Sequence, residues 1–329
     1  MEGPVQIVGA GPAGAAAALS CLAAGRPVVL FEERRTVRNK VCGEFLCAEA
    51  VELLEQLGCA SELNDRKPAR IDEAAIWLGK HGRKFRLPRP GWGLSRLALD
   101  EILLRRAQAS GAEVRQERAQ PRPGCVWATG RGAQLRRGAS RTQMGHKRFF
   151  GFKAHFAGQA GRAVELFFGS RFYVGIAPIE GGRINVCGLA AEEVLKGIGF
   201  DYDRLVQGWG PLRERLQGLE RIGSWTSSGP LPLGRGLRTH PELLLAGDAL
   251  AFADPFTGSG LYNALLTGQM AGLASAQGWS PTDYYRQCEQ RLGRALAAGS
   301  WLRWASDIPL VGVLVSYLPW QVLYRRTRS

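Results

Sequence analysis

The chain has 329 residues, enough for two domains or for one domain with insertions. An apolar content of 45% suits a globular protein, seven cysteines without a CxxC pair exclude a disulfide framework, and four scattered histidines offer no metal-ligand spacing. A net charge of +14 without a recognition motif speaks against nucleic acid and leaves an acidic carrier protein or an anionic membrane surface as partner, or simply a solvated basic surface.

Val5-Gln6-Ile7-Val8 reads as a short buried strand, followed by Gly9-Ala10-Gly11-Pro12-Ala13-Gly14 and an alanine-rich helix over 15–24. Gly25 ends that helix, and Val28-Val29-Leu30-Phe31 gives a second strand closing on Glu32. Strand, GxGxxG, helix, strand and acid in register are the context a dinucleotide fingerprint requires. Gly9 permits the tight turn, Gly11 lets the backbone approach a pyrophosphate, and Gly14 allows helix and strand to pack closely. The helix N-terminus offers free N–H groups and a positive dipole end to phosphates. Glu32 stands where a carboxylate accepts ribose hydroxyls.

Glu33, Arg34 and Arg35 lead into Asn39-Lys40-Val41-Cys42-Gly43-Glu44. A helix then carries Ala50, Leu53, Leu54 and Leu57 on one stripe, with Gly58 as its stop. Segments 74–78 and 84–87 read as strands around a Gly79–Gly82 turn, a hairpin foreign to a nucleotide-binding unit and therefore a first excursion into another sheet. Ser95 caps a second helix that runs to Gly111, and Val126-Trp127 opens a short strand ending in Ala128, Thr129 and Gly130. Segments 149–156, 163–168, 172–176 and 183–189 predict an antiparallel sheet. A helix starts near Leu261, and Ser280-Pro281-Thr282-Asp283 caps another that passes Trp301. The apolar stretch 308–324 is broken by Pro309 and Pro319 and flanked by arginines. It falls short of a spanning length, which leaves a packed C-terminal helix or an interfacial attachment with access to lipidic substrates.

In order along the chain, GAGPAG, Glu32, Lys40-Val41-Cys42-Gly43-Glu44, Arg96 with Leu99-Asp100, Ala128-Thr129-Gly130-Arg131 and Leu245-Ala246-Gly247-Asp248-Ala249 resemble the geranylgeranyl-reductase-like branch of FAD-dependent oxidoreductases. These are similar to the aromatic hydroxylases and flavin halogenases of the glutathione-reductase-type superfamily. The resemblance implies an α/β protein: a Rossmann-like FAD-binding domain with an inserted, mainly antiparallel β-sheet substrate domain and C-terminal helices. The expected FAD-binding parts are 1–72, 95–148 and 236–279. The hairpin 73–94 and the sheet 149–235 form the substrate side, and 280–329 is helical.

The same resemblance implies that Gly9, Gly11, Pro12, Ala13, Gly14, Glu32, Glu33 and Arg34 hold the ADP half of FAD. Arg96 is expected near the phosphates, Ala128, Thr129 and Gly130 beside the cofactor, and Asp248 after Gly247 on the ribityl chain. Pro255, Gly258, Ser259 and Gly260 would bring a helix N-terminus against the pyrimidine edge of the ring, where a reduced flavin is anionic. Cys42-Gly43 falls beside the flavin, so Cys42 is a candidate for gating or proton chemistry, with a simply buried thiol as the alternative. Glu44, His155 and Tyr173 are further proton donors or acceptors by this reading. Lys153 and His155 have a second reading as ordinary outward positions of a strand.

Two departures shape the expected chemistry. Tyr173 and Pro178 match the geranylgeranyl-reductase pattern Y-x-W-x-F-P, but Gly175 and Ala177 replace its bulky side chains, which implies a wider cavity over the ring. Thr129-Gly130 stands in place of the hydroxylases' Asp-Gly, and no second GxGxxG exists. NAD(P)H is then a transient reductant, or a partner supplies the electrons. The implied activity is FAD-dependent redox chemistry on a hydrophobic substrate, prenyl-lipid-like or polyketide-like and aromatic. It proceeds by hydride transfer from reduced flavin or by oxygen transfer after O₂ uptake. The alternative is a flavoprotein whose substrate is presented by, or whose electrons pass to, an acidic partner protein. A cytoplasmic location, with peripheral membrane attachment as a variant, completes the expectation.

Overall fold

The computed structural model describes residues 3–79, 81–129, 148–231, 233 and 236–306. Gly130, Arg131 and the apolar stretch 308–324 lie outside them. β1 (Val5–Val8), α1 (Pro12–Ala23) and β2 (Val28–Phe31) form a βαβ unit with Val5 opposite Val28 and Val8 opposite Phe31 in parallel. The helix begins at Pro12, three residues before the alanine run, because a proline in the first turn gives up only an N–H that has no partner there.

The chain continues through β3 (Phe45–Leu46), α2 (Ala48–Gln56), α3 (Ala60–Asp65), β4 (Ala69–Leu78) and β5 (His81–Gly93). It then returns through α4 (Arg96–Ala109), β6 (Glu113–Arg115) and β7 (Val126–Trp127). Ser95 caps α4 as its sequence predicts, its Oγ accepting from Ala98 N–H at 3.2 Å. The β4–β5 hairpin is longer than its apolar cores suggested. β8 (Phe149–Ala157), β9 (Ala163–Gly169), β10 (Phe172–Pro178) and β11 (Ile184–Ala191) follow. Three short helices that the sequence reading missed, α5 (Glu192–Gly197), α6 (Tyr202–Gln207) and α7 (Gly210–Leu216), precede β12 (Glu220–Ser228). The described residues end in β13 (Leu244–Leu245), α8 (Gly260–Ala276) and α9 (Pro281–Ser306).

Two sheets result. One is parallel, in the order β13-β7-β1-β2-β6. The other has the order β12-β8-β11-β10-β9-β4-β5-β3 and is antiparallel except where β4 meets β9. α1 lies tightly against α8 because the contact is made of small residues. A Cβ on Gly268 would stand 2.1 Å from the Ala13 carbonyl oxygen, and one on Gly272 would stand 2.4 Å from that of Ala17.

Alternation along each strand gives the eight-stranded sheet two faces. On the outer face Phe152, Ala154, Phe156, Phe167, Val174 and Val186 pack against Leu195, Leu205, Val206, Leu212 and Leu216 of α5–α7. Phe152, fully buried, stacks on Tyr202 with ring centroids 4.8 Å apart, and such burial contributes about 2 kcal/mol. The inner face is organised in rows across the strands. One row is Leu78, Phe168, Tyr173, Leu189 and Gly151, and the next is Ile76, Leu166, Gly175, Cys187 and Lys153. Ala177, Asn185 and His155 stand in the row below.

Candidate active site

The inner face of that sheet, the ends of the parallel strands and the N-termini of α1 and α8 enclose a cavity of about 670 Å³. At one end the chain turns through Gly9 and Gly11 into α1. Gly9 has a φ of 100°, and a Cβ there would press on the backbone of Ala128 and Thr129 at 3.1 Å. Gly14 does not line the cavity; it lies behind, where a Cβ would sit 1.7 Å from the Gly9 oxygen. Glu32 does line it, its carboxylate accepting from Ala10 N–H at 3.0 Å and Arg34 N–H at 3.1 Å. Arg34, Ala128 and Thr129 are beside it, whereas Glu33 stands outside the lining.

Against the first turn of α1, Gly247 takes a φ of 60° at a position where a Cβ would come within 2.9 Å of Ala13. Asp248 faces the cavity. Its carboxyl is open to that space but enclosed elsewhere, and this burial pushes it above the ordinary carboxylate value despite Arg96 and Arg238. Pro255, Gly258 and Gly260 also line the cavity. Ser259 is buried behind them, its Oγ 2.7 Å from Thr257 Oγ1.

A charged cluster adjoins Asp248. Asp100, buried, accepts from Lys40 Nζ at 2.7 Å and from Arg96 Nε and Nη2 at 2.9 and 3.0 Å. Burial alone would lower the Arg96 pKa; the Asp100 carboxylate outweighs it and raises it. Glu44 lies on the cavity wall with no exposed surface. One of its oxygens accepts from Arg96 N–H at 2.6 Å and from Lys153, and the other meets His155 Nε2 at 2.7 Å. Burial pushes the Glu44 carboxyl up, but the His155 hydrogen bond and the Lys153 ammonium outweigh it and hold it below the usual range. Lys153 and His155 are therefore buried partners of Glu44, not outward positions of a strand, and His155 stands behind Glu44 rather than on the cavity wall.

Cys42, Gly43 and Tyr173 line the cavity. Burial pushes the Cys42 thiol up, with Arg96 opposing, and burial raises the Tyr173 phenol well above its ordinary value. Both keep their protons at neutral pH. Beyond them the wall is apolar: Ala74, Ile76 and Leu78 of β4, Phe85 and Leu87 of β5, and Val164, Leu166 and Phe168 of β9. Sequence reasoning did not assemble this wall or the Glu44 cluster. Their one local signal is parity, since Gly151, Lys153 and His155 alternate with Phe150, Phe152, Ala154 and Phe156.

The residues present fit FAD. Two helix N-termini without side-chain caps meet the cavity, which suits a dinucleotide's phosphates and an anionic ring. Gly11, Gly43 and Gly260 line it at points where a Cβ would have nothing within 4 Å, so any side chain there would occupy the ligand's space. Such a fold and site define a flavoprotein oxidoreductase. The FAD binding domain family matches residues 2–120. Over most of its length the chain is 28% identical to digeranylgeranylglycerophospholipid reductase 1 of Methanopyrus kandleri, across 83% of this chain and 80% of that protein. With the menaquinone reductase of Mycolicibacterium smegmatis it shares 40% over 87 residues, which span 26% of this chain and 20% of that one. The flavin-dependent brominase Bmp2 has the same fold, with a TM-score of 0.80 at 18% identity over 99% of this chain and 93% of that one. The chain is an FAD-dependent oxidoreductase, similar in sequence to these reductases and in fold to the flavin-dependent brominase. No helix among the described residues is long and apolar enough to cross a membrane.

Proposed function

We propose that the chain reduces an apolar, alkene-bearing substrate laid on the inner face of the eight-stranded sheet. The observation that carries this reading is continuity: the cavity that begins at the dinucleotide fingerprint runs on over Ile76, Leu78, Leu166 and Phe168. When bound, the reduced flavin supplies a hydride. The chain's own residues do the rest. The β4–β9 wall holds the substrate by burial, at roughly 25 cal/mol per Å² of apolar surface removed from water. Gly175 leaves room beside that wall, since a Cβ there would meet Leu166 only at 3.4 Å.

When one alkene carbon accepts hydride, its neighbour takes the π electron pair and needs a proton, and two cavity-facing groups carry one at neutral pH, the Cys42 thiol and the Tyr173 phenol. Glu44 is held ionised and is not that donor. His155 acts through Glu44. Reduction by a transient NAD(P)H encounter is part of the proposal. The excess of 43 Lys and Arg over 29 Asp and Glu supports presentation of the substrate by an anionic membrane surface or an acidic carrier protein.

The test is anaerobic. Holoprotein bleached with dithionite is mixed with a polyprenyl alkene and followed by flavin absorbance. Recovery of the oxidised spectrum with formation of saturated product supports the proposal. Recovery only on adding O₂, with no saturated product formed from the alkene, overturns it.

A further inference from the structure

Segment 40–44 begins beside the dinucleotide end of the cavity and ends on the substrate sheet, and every residue of it from Lys40 to Glu44 lines the cavity. What seats it there comes from β8 and β11. Asn185 Nδ2 donates to the Cys42 carbonyl at 3.0 Å, and Lys153 Nζ reaches the Lys40 carbonyl at 3.4 Å as well as the Glu44 carboxylate. His155 meets the other Glu44 oxygen. Gly151 lies directly under Val41, where a Cβ would come within 2.9 Å of Val41 Cγ1. Glu44 itself has a φ of 55°, a left-handed conformation that a non-glycine residue holds only when its surroundings enforce it.

We propose that Lys153 and His155 are positioning residues for the cofactor, holding the Lys40–Glu44 loop closed on the ring half of the cavity through the buried Glu44 carboxylate. Neither side chain lines the cavity; the loop they hold does. The ammonium is 2% exposed and the carboxylate 0%, so neither can substitute water for its partner. The loop's other end is tied separately, Lys40 to Asp100 on α4. Breaking the latch therefore loosens the Glu44 side of the loop, leaving Asn185 alone on the Cys42 carbonyl, while Gly9 keeps its close contacts and Glu32 its hydrogen bond to Ala10 N–H. The inference rests on the cofactor site and not on the choice of substrate, so its failure leaves the alkene-reduction test untouched.

The experiment is calorimetric titration of the flavin-free full chain with FAD and, separately, with ADP, which engages the fingerprint end alone. Lys153→Met is expected to weaken FAD roughly tenfold or more while ADP affinity stays within about twofold. Lys153→Arg restores most of the FAD affinity, and His155→Gln falls between. Should Lys153→Met fail to fold, Asn185→Leu removes the donor to the Cys42 carbonyl without touching a charge or the cavity wall and is expected to give the same split. Equal weakening of FAD and ADP would show a merely structural role and overturn the proposal, as would unchanged FAD affinity in both variants.

Discussion

Over β4 and β9 the inner face of the eight-stranded sheet presents Ala74, Ile76, Leu78, Val164, Leu166 and Phe168. Further along the same face, over β11 and β8, it presents Asn185, Cys187, Lys153 and His155. Strand geometry is the same in both halves, and the alternation that aims the side chains is unbroken. The apolar half offers area, which is non-directional and accepts many shapes. The polar half offers donors at fixed points, which accept one loop in one place. Gly175 and Ala177 on β10 form a low strip between the two. One sheet thus carries a permissive surface and an exacting one side by side.

The comparison breaks most sharply at Glu44. Glu44→Gln keeps the shape but leaves the Lys153 ammonium buried without its anion, and the expected loss is about 3 kcal/mol in chemical denaturation. Adding Lys153→Met to that variant should recover part of the loss, since a buried polar pair replaced as a pair costs less than one broken. An apolar truncation opposite, Leu78→Ala, should cost well under half as much, because Leu78 is only half-buried.

A second test fills the strip. Gly175→Leu is expected to raise the KM for an apolar substrate roughly tenfold while the protein still purifies with its flavin. Loss of the flavin instead would show that the strip belongs to the cofactor half. Acid offers a third. Glu44 sits below its ordinary value of 4.5 in the folded protein, so the folded state binds fewer protons than the unfolded one. Its contribution is complete above that value and is lost as pH falls through the depressed one. Stability against urea should drop in that acid window for the wild type and less steeply for Glu44→Gln. The smallest effect is chemical. Cys42 is the half-buried cysteine and the other six are buried. Its thiol is pushed above 9.0, so iodoacetamide should label it slowly at neutral pH and faster with rising alkalinity. Rapid labelling at neutral pH would contradict the protonated donor.

These variants also mark the boundary of what the sequence discloses. The Gly9–Glu32 unit was legible because strand, turn, helix and second strand follow one another within thirty positions, and the structure has these elements in that order. Gly247-Asp248 was read only through its surroundings, the Leu243–Ala246 run before it and the Pro255–Gly260 turn after it. The Glu44 cluster was not, because Lys153 reads as a surface lysine until β8 is laid against a loop more than a hundred residues earlier. The β4–β5 hairpin was recognised as foreign to the nucleotide unit, but its neighbour β9 depends on long-range pairing that no local pattern encodes.

That pairing has a consequence for how the chain is made. Glu73 on β4 lies opposite Ala163 on β9, and Leu244 on β13 lies opposite Val126 on β7. A chain emerging from its N-terminus can lay down β1, α1 and β2 early, yet the substrate sheet must wait for β9 and the parallel sheet for β13. Non-local strand pairings of this kind are slow to form. The nucleotide half is therefore started first and finished last, with the other sheet completed inside that interval. A truncated fragment that keeps the fingerprint but ends before β13 would leave the β7 edge unpaired, an invitation to aggregate rather than a small flavin-binding domain.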